Sequence, residues 1–262
     1  MAELIFLKLG GSLITDKSRP YTVRLDMLDE LCREIASARD GTQILVGHGS
    51  GSFGHTAASQ YGTREGVSDE RGWHGLAEVH YQAAALNGFV MQALRKAGIP
   101  ALPFPPSACV TARDGQAAIW DIHPLERALA GGILPVTYGD VVLDEVRGGT
   151  ILSTEDLFQY LAPHLRPSRI LLAGLEPGVW ADFPARTEIL SEITPGSYAT
   201  MRKRPGLAAG LDVTGGMDAK VRQMLKLVET VPGLKAVIFS AEHAADLGRA
   251  LRSHPLGTAI SL

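Results

Sequence analysis

Cysteine is nearly absent from this 262-residue chain: Cys32 and Cys109 stand alone, and neither belongs to a C-x-x-C pair. That argues against a disulfide scaffold and predicts a reducing compartment. Long hydrophobic runs are missing too. No stretch reaches the ~18 apolar residues a membrane helix requires, and Met1 to Leu9 sets Glu3 and Lys8 around a short apolar run without the layout of a secretory signal. A cytoplasmic protein with no membrane partner is expected. Aromatic residues make up only 6% of the chain, and positive charge is not in excess, since 25 Lys plus Arg face 28 Asp plus Glu for a formal charge of -3. Such a balance supplies no bulk field to hold a nucleic-acid backbone, so nucleic acid is not an expected partner. The signatures H-E-x-x-H, G-x-S-x-G and Walker A are also absent, which removes the zinc-enzyme and α/β-hydrolase readings.

Glycine and proline are plentiful, at 29 and 15, and they gather in short loops rather than in one linker. Leu4 to Leu9 is an apolar run ending in Gly10-Gly11-Ser12, after which Leu25, Leu28, Leu31, Cys32 and Ile35 recur at helical spacing. Ile44 to Gly47 gives a second strand before a second glycine loop, and Leu76 to Ala97 a long helix closed by Gly98. A helix over Pro124 to Ala130 follows, then strands over Ile133 to Tyr138 and Val141 to Leu143 with Gly139-Asp140 as the turn between them. Glu155 to Leu161 reads as helix, Ile170 to Ala173 as strand, and Pro177 to Leu211, with little periodicity, as loops. Met217 to Thr230, Ala236 to Ser240, Ala244 to Leu251 and Thr258 to Ile260 complete a helix–strand alternation. The pattern predicts an α/β fold, a mainly parallel sheet with helices on both faces and ligands outside the carboxyl ends of the strands.

Three loops have the chemistry of anion cradles. Lys8 ends an apolar strand beside Gly10-Gly11-Ser12, where lysine and bare backbone amides would share one anion, with Lys17 nearby; a solvated lysine before a tight turn is the plainer alternative. Gly47 to His55 packs four glycines, two serines and two histidines directly after a strand, a density that few structural needs explain. Asp212 to Lys220 places paired glycines, Gly215 and Gly216, at a helix start with Lys220 one turn in, where dipole and ammonium favour the same charge. Together they suggest a triphosphate and a phosphorylated acceptor. In Ser153-Thr154-Glu155-Asp156 two carboxylates open a helix; capping explains them, and Glu155 facing the site would hold Lys8 and Lys220 in place instead.

Taken in order, Lys8-Leu9-Gly10-Gly11-Ser12, Ile14-Thr15-Asp16-Lys17, Gly49 to His55, Gly139-Asp140-Val141-Val142 and Asp212 to Lys220 resemble the amino acid kinase family. Gly51-Ser52-Phe53-Gly54-His55 narrows the resemblance to the isopentenyl phosphate kinases and their near relatives. The resemblance implies a single domain over residues 1–262, a three-layer αβα sandwich with its acceptor side in the N-terminal part and its nucleotide side from about residue 150, binding ATP with Mg2+ and forming a homodimer. It implies that Lys8 meets the transferring phosphate, Lys17 the transition state, Lys220 the nucleotide phosphates and His55 the acceptor's phosphate. Gly10, Gly11, Gly49, Ser50 and Gly54 would donate from backbone or hydroxyl. Ser12, Gly174, Glu176, Gly178 and Gly216 would lie on the nucleotide side, and Thr154 beside the acceptor. Two stretches depart from the family pattern: Ser153-Thr154-Glu155 stands where Ser-Gly-Asp is usual, and Gly174-Leu175-Glu176-Pro177-Gly178-Val179-Trp180 replaces Asp-Val-Asp-Gly-Val. The implied reaction is ATP-dependent phosphorylation of isopentenyl phosphate. The alternatives are a kinase for another small phosphate or phosphonate such as fosfomycin, and a nucleotide-binding regulator without turnover. Residues Val79 to Ala84, Val141 and Ile151 are candidates for an apolar slot that takes the acceptor's tail.

Overall fold

In the computed structural model, residues 2–39, 41–203 and 216–262 are described, without the side chains of residues 55, 57, 202 and 203. In chain order the first half runs β1 (Glu3–Leu9), α1 (Gly11–Ile14), α2 (Leu25–Ala38), β2 (Thr42–His48), α3 (Gly51–Tyr61), α4 (Glu70–Lys96), β3 (Ala101–Pro103), α5 (Pro106–Cys109), β4 (Val110–Arg113), β5 (Gln116–Trp120) and α6 (His123–Ala130). The second half runs β6 (Leu134–Tyr138), β7 (Asp140–Asp144), β8 (Gly148–Leu152), α7 (Thr154–Leu165), β9 (Arg169–Gly174), β10 (Val179–Trp180), β11 (Ile189–Leu190), β12 (Glu192–Ile193), α8 (Pro195–Lys203), α9 (Met217–Thr230), β13 (Lys235–Ser240), α10 (Ala244–Leu251) and β14 (Thr258–Ile260).

An eight-stranded sheet of order β12-β14-β13-β9-β1-β2-β6-β3 forms the centre, parallel throughout except where β14 runs against β13. Its central strands β13, β9, β1 and β2 are apolar on both faces because each separates two cores. Phe6, Leu45, Ile170, Leu172 and Ala236 face one core with Phe158 and Leu161 of α7 and Val221, Met224 and Val228 of α9. Their immediate neighbours Ile5, Leu7, Ile44, Val46 and Leu171 face the other, with Leu28, Leu31 and Ile35 of α2, Leu86 and Val90 of α4 and Leu247 of α10. The period-two alternation that splits β1 between two helical layers is what makes the fold three-layered. Helix α4, about 40 Å long at 1.5 Å per residue, is capped by the Asp69 side chain, which accepts from the Gly72 N–H at 2.7 Å, and ends on Arg95 and Lys96, cations at the negative end of the dipole.

The structure corrects two expectations and adds a second sheet. Gly139-Asp140 is not a hairpin turn: Gly139 donates its N–H to the His48 carbonyl at 3.0 Å, and Asp140 begins β7, which leaves the central sheet for a separate four-stranded sheet of order β5-β4-β7-β8. Of that sheet the sequence pattern gives only β7, as Val141 to Leu143, although Asp114-Gly115, with positive φ at both residues, is a strong hairpin signal. Buried Asp144 holds it together by accepting N–H groups from Asp114, Gly115, Val146 and Arg147. Finally, the stretch expected to be loops, residues 177–211, contains β10, β11, β12 and α8; residues 204–211 of it lie outside the described set. Among the described residues no helix is long and apolar enough to cross a membrane.

Candidate active site

The carboxyl ends of β1 and β2, adjacent and in register with Leu9 opposite His48, each run into a glycine loop and a helix. The loops are packed backbone against backbone. A Cβ on Gly11 would sit 2.4 Å from the Gly51 nitrogen, and one on Gly49 would sit 2.9 Å from the Gly11 nitrogen. Gly51 has φ +50, and a Cβ there would meet Thr15 Oγ1 at 2.2 Å. Thr15 stitches the assembly: its hydroxyl donates to the Gly11 carbonyl at 2.7 Å and accepts the Ser52 N–H at 3.0 Å. The spacing Gly49-x-Gly51-x-x-Gly54 is that of a dinucleotide fingerprint. Here, however, Gly51 makes room for Thr15 and Gly54 for the Ser50 side chain, whose Oγ would lie 2.3 Å from an added Cβ. Gly10 is held on the other side, donating to the Ala173 carbonyl at the end of β9 at 2.8 Å.

Into this floor the fold delivers charge. Lys8, at the end of β1, forms an ion pair with Glu155 at the start of α7. Glu155 is 4% exposed; burial pushes its carboxyl up, but the adjacent Lys8 ammonium and the charge of Lys220 outweigh burial and hold it below its ordinary value. Helix capping, the plainer reading of the two carboxylates, is done by Asp156: Ser153 accepts the Asp156 N–H, and Asp156 accepts from the Ser153 N–H at 2.8 Å. Glu155 is thereby left for the lysines, on which α7 and α9 converge from one face of the sheet. Lys220 stands in the first turn of α9, its N–H directed at the Gly216 carbonyl at 3.4 Å.

Thr154 is buried and supports the second loop from behind. Its hydroxyl donates to the His48 carbonyl at 2.7 Å, and its methyl occupies the space where a Cβ on Gly47 would lie, 2.3 Å away. His48 is itself buried, with its ring stacked on Tyr138 at 5.2 Å and Nε2 3.2 Å from Asn87 Oδ1. Burial pushes its pKa down to about 4, so of the two histidines in this stretch the first is a neutral structural group. Residue 55 lies in the second turn of α3, and its side chain is outside the described residues.

Lys17 is exposed on the loop after α1 and, with Ser12, Arg24 and Leu175, lines an open cavity of about 790 Å3. Asp16 shapes that loop, accepting from the Ser18 N–H and hydroxyl and from Arg19 Nε at 2.7–2.9 Å. On the far side of β1, Gly174 ends β9 with open space above it, and a Cβ on Gly178 would meet Ile189 and Thr258 at 2.7 Å. Glu176 takes the Trp180 indole N–H at 2.7 Å and lies 3.6 Å from Arg186, while Gly216 is exposed at the head of α9. Of the expected slot residues, Val79, Val141 and Ile151 meet: Val79 and Val141 form a small apolar cluster with Val67 and Leu76, edged by Ala58 and Ile151, while residues 80–84 are not part of it. Sequence reasoning missed Asn87 and His80, which no local motif marks, and it named Thr15, Gly47 and Asp140 only as members of motifs, without the contacts they make here.

A parallel sheet whose carboxyl end carries interlocked glycine loops and lysines converging on one buried carboxylate is the architecture of an α/β phosphotransferase. The chain belongs to the amino acid kinase family, whose model matches residues 3–240. It is 37% identical to an isopentenyl phosphate kinase of Haloferax volcanii, with 92% of each chain covered, and 34% identical to one of Methanothermobacter thermautotrophicus, with 95% of each covered. Among solved structures, an isopentenyl phosphate kinase aligns over 98% of this chain and 100% of its own, with a TM-score of 0.85 at 31% identity. The protein is an enzyme of the kinase class.

Proposed function

We propose that this enzyme transfers the γ-phosphoryl group of ATP to isopentenyl phosphate, giving isopentenyl diphosphate and ADP. The observation that carries this reading is the convergence of Lys8 and Lys220 on buried Glu155, beside two glycine loops locked backbone to backbone, in a chain similar over nearly its whole length to isopentenyl phosphate kinases. An acceptor phosphate oxygen attacks the γ-phosphorus, the bond from γ-phosphorus to the β–γ bridging oxygen breaks, and ADP leaves. A phosphate monoester has a second pKa of about 6, so at neutral pH the nucleophile is already deprotonated and needs no general base. What the protein must supply is in-line placement and neutralisation of two repelling anions.

In this reading Lys8 bridges toward the transferring group, Lys220 holds the nucleotide phosphates, Lys17 reaches in from the loop above α1, and His55 binds the acceptor phosphate. Glu155 orients the two lysines and takes no proton. The donors facing the loops are ammonium and amide groups, and Glu155 is already engaged by Lys8. Such a set fits Mg2+ held by ATP's own phosphate oxygens and water, where it would neutralise charge on the β and γ phosphates. The cluster of Val67, Leu76, Val79 and Val141 would take the branched hydrocarbon tail. The acceptor side lies in the N-terminal part of the single domain and the nucleotide side from about residue 150, and the enzyme works as a cytoplasmic homodimer.

The test is ADP release from ATP and Mg2+ with isopentenyl phosphate, dimethylallyl phosphate, fosfomycin or no acceptor, with His55→Ala alongside. Turnover on isopentenyl phosphate that collapses in the variant supports the reading. Turnover on fosfomycin alone moves the acceptor to a phosphonate, and ATP binding with no turnover on any acceptor makes the protein a regulator.

A further inference from the structure

One buried carboxylate has no place in the transfer chemistry. Asp140 is 0% exposed at the start of β7, one residue after Gly139, which bonds the His48 carbonyl and passes so near the second glycine loop that an added Cβ would lie 3.9 Å from the Ser50 nitrogen. Both Asp140 oxygens accept from His80 Nδ1, at 3.1 and 3.2 Å, and Oδ1 also accepts the Val141 N–H at 2.8 Å. Burial pushes the carboxyl pKa up, while His80 and the hydroxyl of Ser107 pull it back. The carboxylate therefore depends on donors reaching it from α4 and α5.

His80 is one of two hooks on α4. Two helical turns further on, about 10.5 Å along the axis, Asn87 engages His48. The two hooks fasten one helix to the end of β2, within the Gly47 to Ser50 segment, and to the start of β7 beside that segment. The same helix carries Leu76 and Val79, which pack on Val67 and Val141 in the small apolar cluster, and Val79 and Val141 are the sequence neighbours of His80 and Asp140. The distance between the glycine loop and that cluster is thus set by where α4 is tied to β7.

We propose that His80 and Asp140 are a positioning pair for the acceptor: their contact fixes α4 against the β6–β7 corner and so sets the spacing between the phosphate-binding loop and the apolar slot. The pair rests on the reading of the acceptor side given above. It touches no reacting atom, and it acts on how the two ends of one phosphorylated, branched hydrocarbon are held at once. The nucleotide, bound across the sheet, is outside its reach.

Steady-state kinetics of His80→Ala, His80→Gln and Asp140→Asn with ATP and isopentenyl phosphate test this, and His80, 41% exposed at its side chain, is the position whose loss the fold survives best. The expected result for His80→Ala is a rise in KM for the acceptor of about tenfold or more, with KM for ATP within about twofold of wild type. Glutamine, whose side-chain N–H can donate to Asp140, recovers part of the loss. Direct ATP binding unchanged in each variant shows the nucleotide half intact. An unchanged acceptor KM in His80→Ala, or equal rises in both KM values, overturns the pair while leaving the reaction standing. A wild type without turnover on isopentenyl phosphate overturns the reaction, and this proposal with it.

Discussion

The ammonium of Lys8 is paired with the carboxylate of Glu155 across the gap between the end of β1 and the start of α7, although the two residues are 147 positions apart in the chain. With Glu155 at 4% exposure and Lys8 nearly as enclosed, removing one partner strands the other charge out of water. Glu155→Gln is expected to lower stability by about 3 kcal/mol and turnover by about 10²-fold, since Lys8 loses its fixed position. The folded carboxyl lies below its ordinary value of 4.5, so its contribution is complete above that pH and is lost as pH falls through the folded value. Urea unfolding of both proteins should show a constant stability gap above pH 4.5 that narrows below it; a gap independent of pH would remove the ion pair as its source.

Lys17 is exposed on a loop that Asp16 braces; hydrogen bonds from Ser18 and then Arg19 hold that carboxyl down at about 2. The loop is therefore shaped at any neutral pH, independent of Lys17 itself. Lys17→Ala should lower kcat by about 10²-fold with KM for ATP little changed, the signature of a contact made in the transition state. A mutant that raises KM and keeps kcat would place Lys17 in ground-state binding instead.

Gly11 and Gly88 make a matched pair for alanine substitution. At Gly11 the new Cβ would meet Gly51 backbone atoms at 2.4 and 2.6 Å, whereas at Gly88, inside α4, it meets nothing within 4 Å. Gly11→Ala should cost about 2–3 kcal/mol and abolish activity by parting the loops. Gly88→Ala should be neutral or stabilising by about 0.5–1 kcal/mol. Thermal unfolding and turnover of the two variants separate the outcomes.

His48 gives the acid limb of stability. Its pKa is pushed from 6.5 to about 4 by burial, so the unfolded chain takes up this proton first. The native state should lose about 3 kcal/mol from this group as pH falls from 6.5 to 4, with no change above 6.5. In His48→Gln that part of the slope should disappear; equal slopes in both proteins would show that His48 is not buried as a neutral group.

How much of this was legible in the chain is clearest at particular residues. Helices 217–230 and 244–251 and strand 258–260 were readable to the residue, because apolar period and flanking glycines or prolines agree there. The two glycine loops were readable because glycine density after an apolar run has few other uses. The role of the glycines was not: that Gly11 yields space to Gly51, and Gly51 to Thr15, depends on two loops about forty residues apart meeting. Asp140, read as a turn residue, turned out to be a buried carboxylate because its partner His80 lies 60 positions earlier.

The sequence by itself determined the α/β alternation, the lysines and glycines available for phosphate chemistry, and the family, since all of these are local patterns of period and residue type. Tertiary structure alone decided which charges meet. Glu155 and Asp156 are neighbours with the same charge at one helix start, and in sequence capping explains both as well as a site role explains Glu155. In space Asp156 caps its own helix while Glu155, about 100° further round the helix axis, faces the end of β1 and takes Lys8. The direction of a side chain relative to a distant strand is a property of packing, and packing separates the capping carboxylate from the one that organises the site.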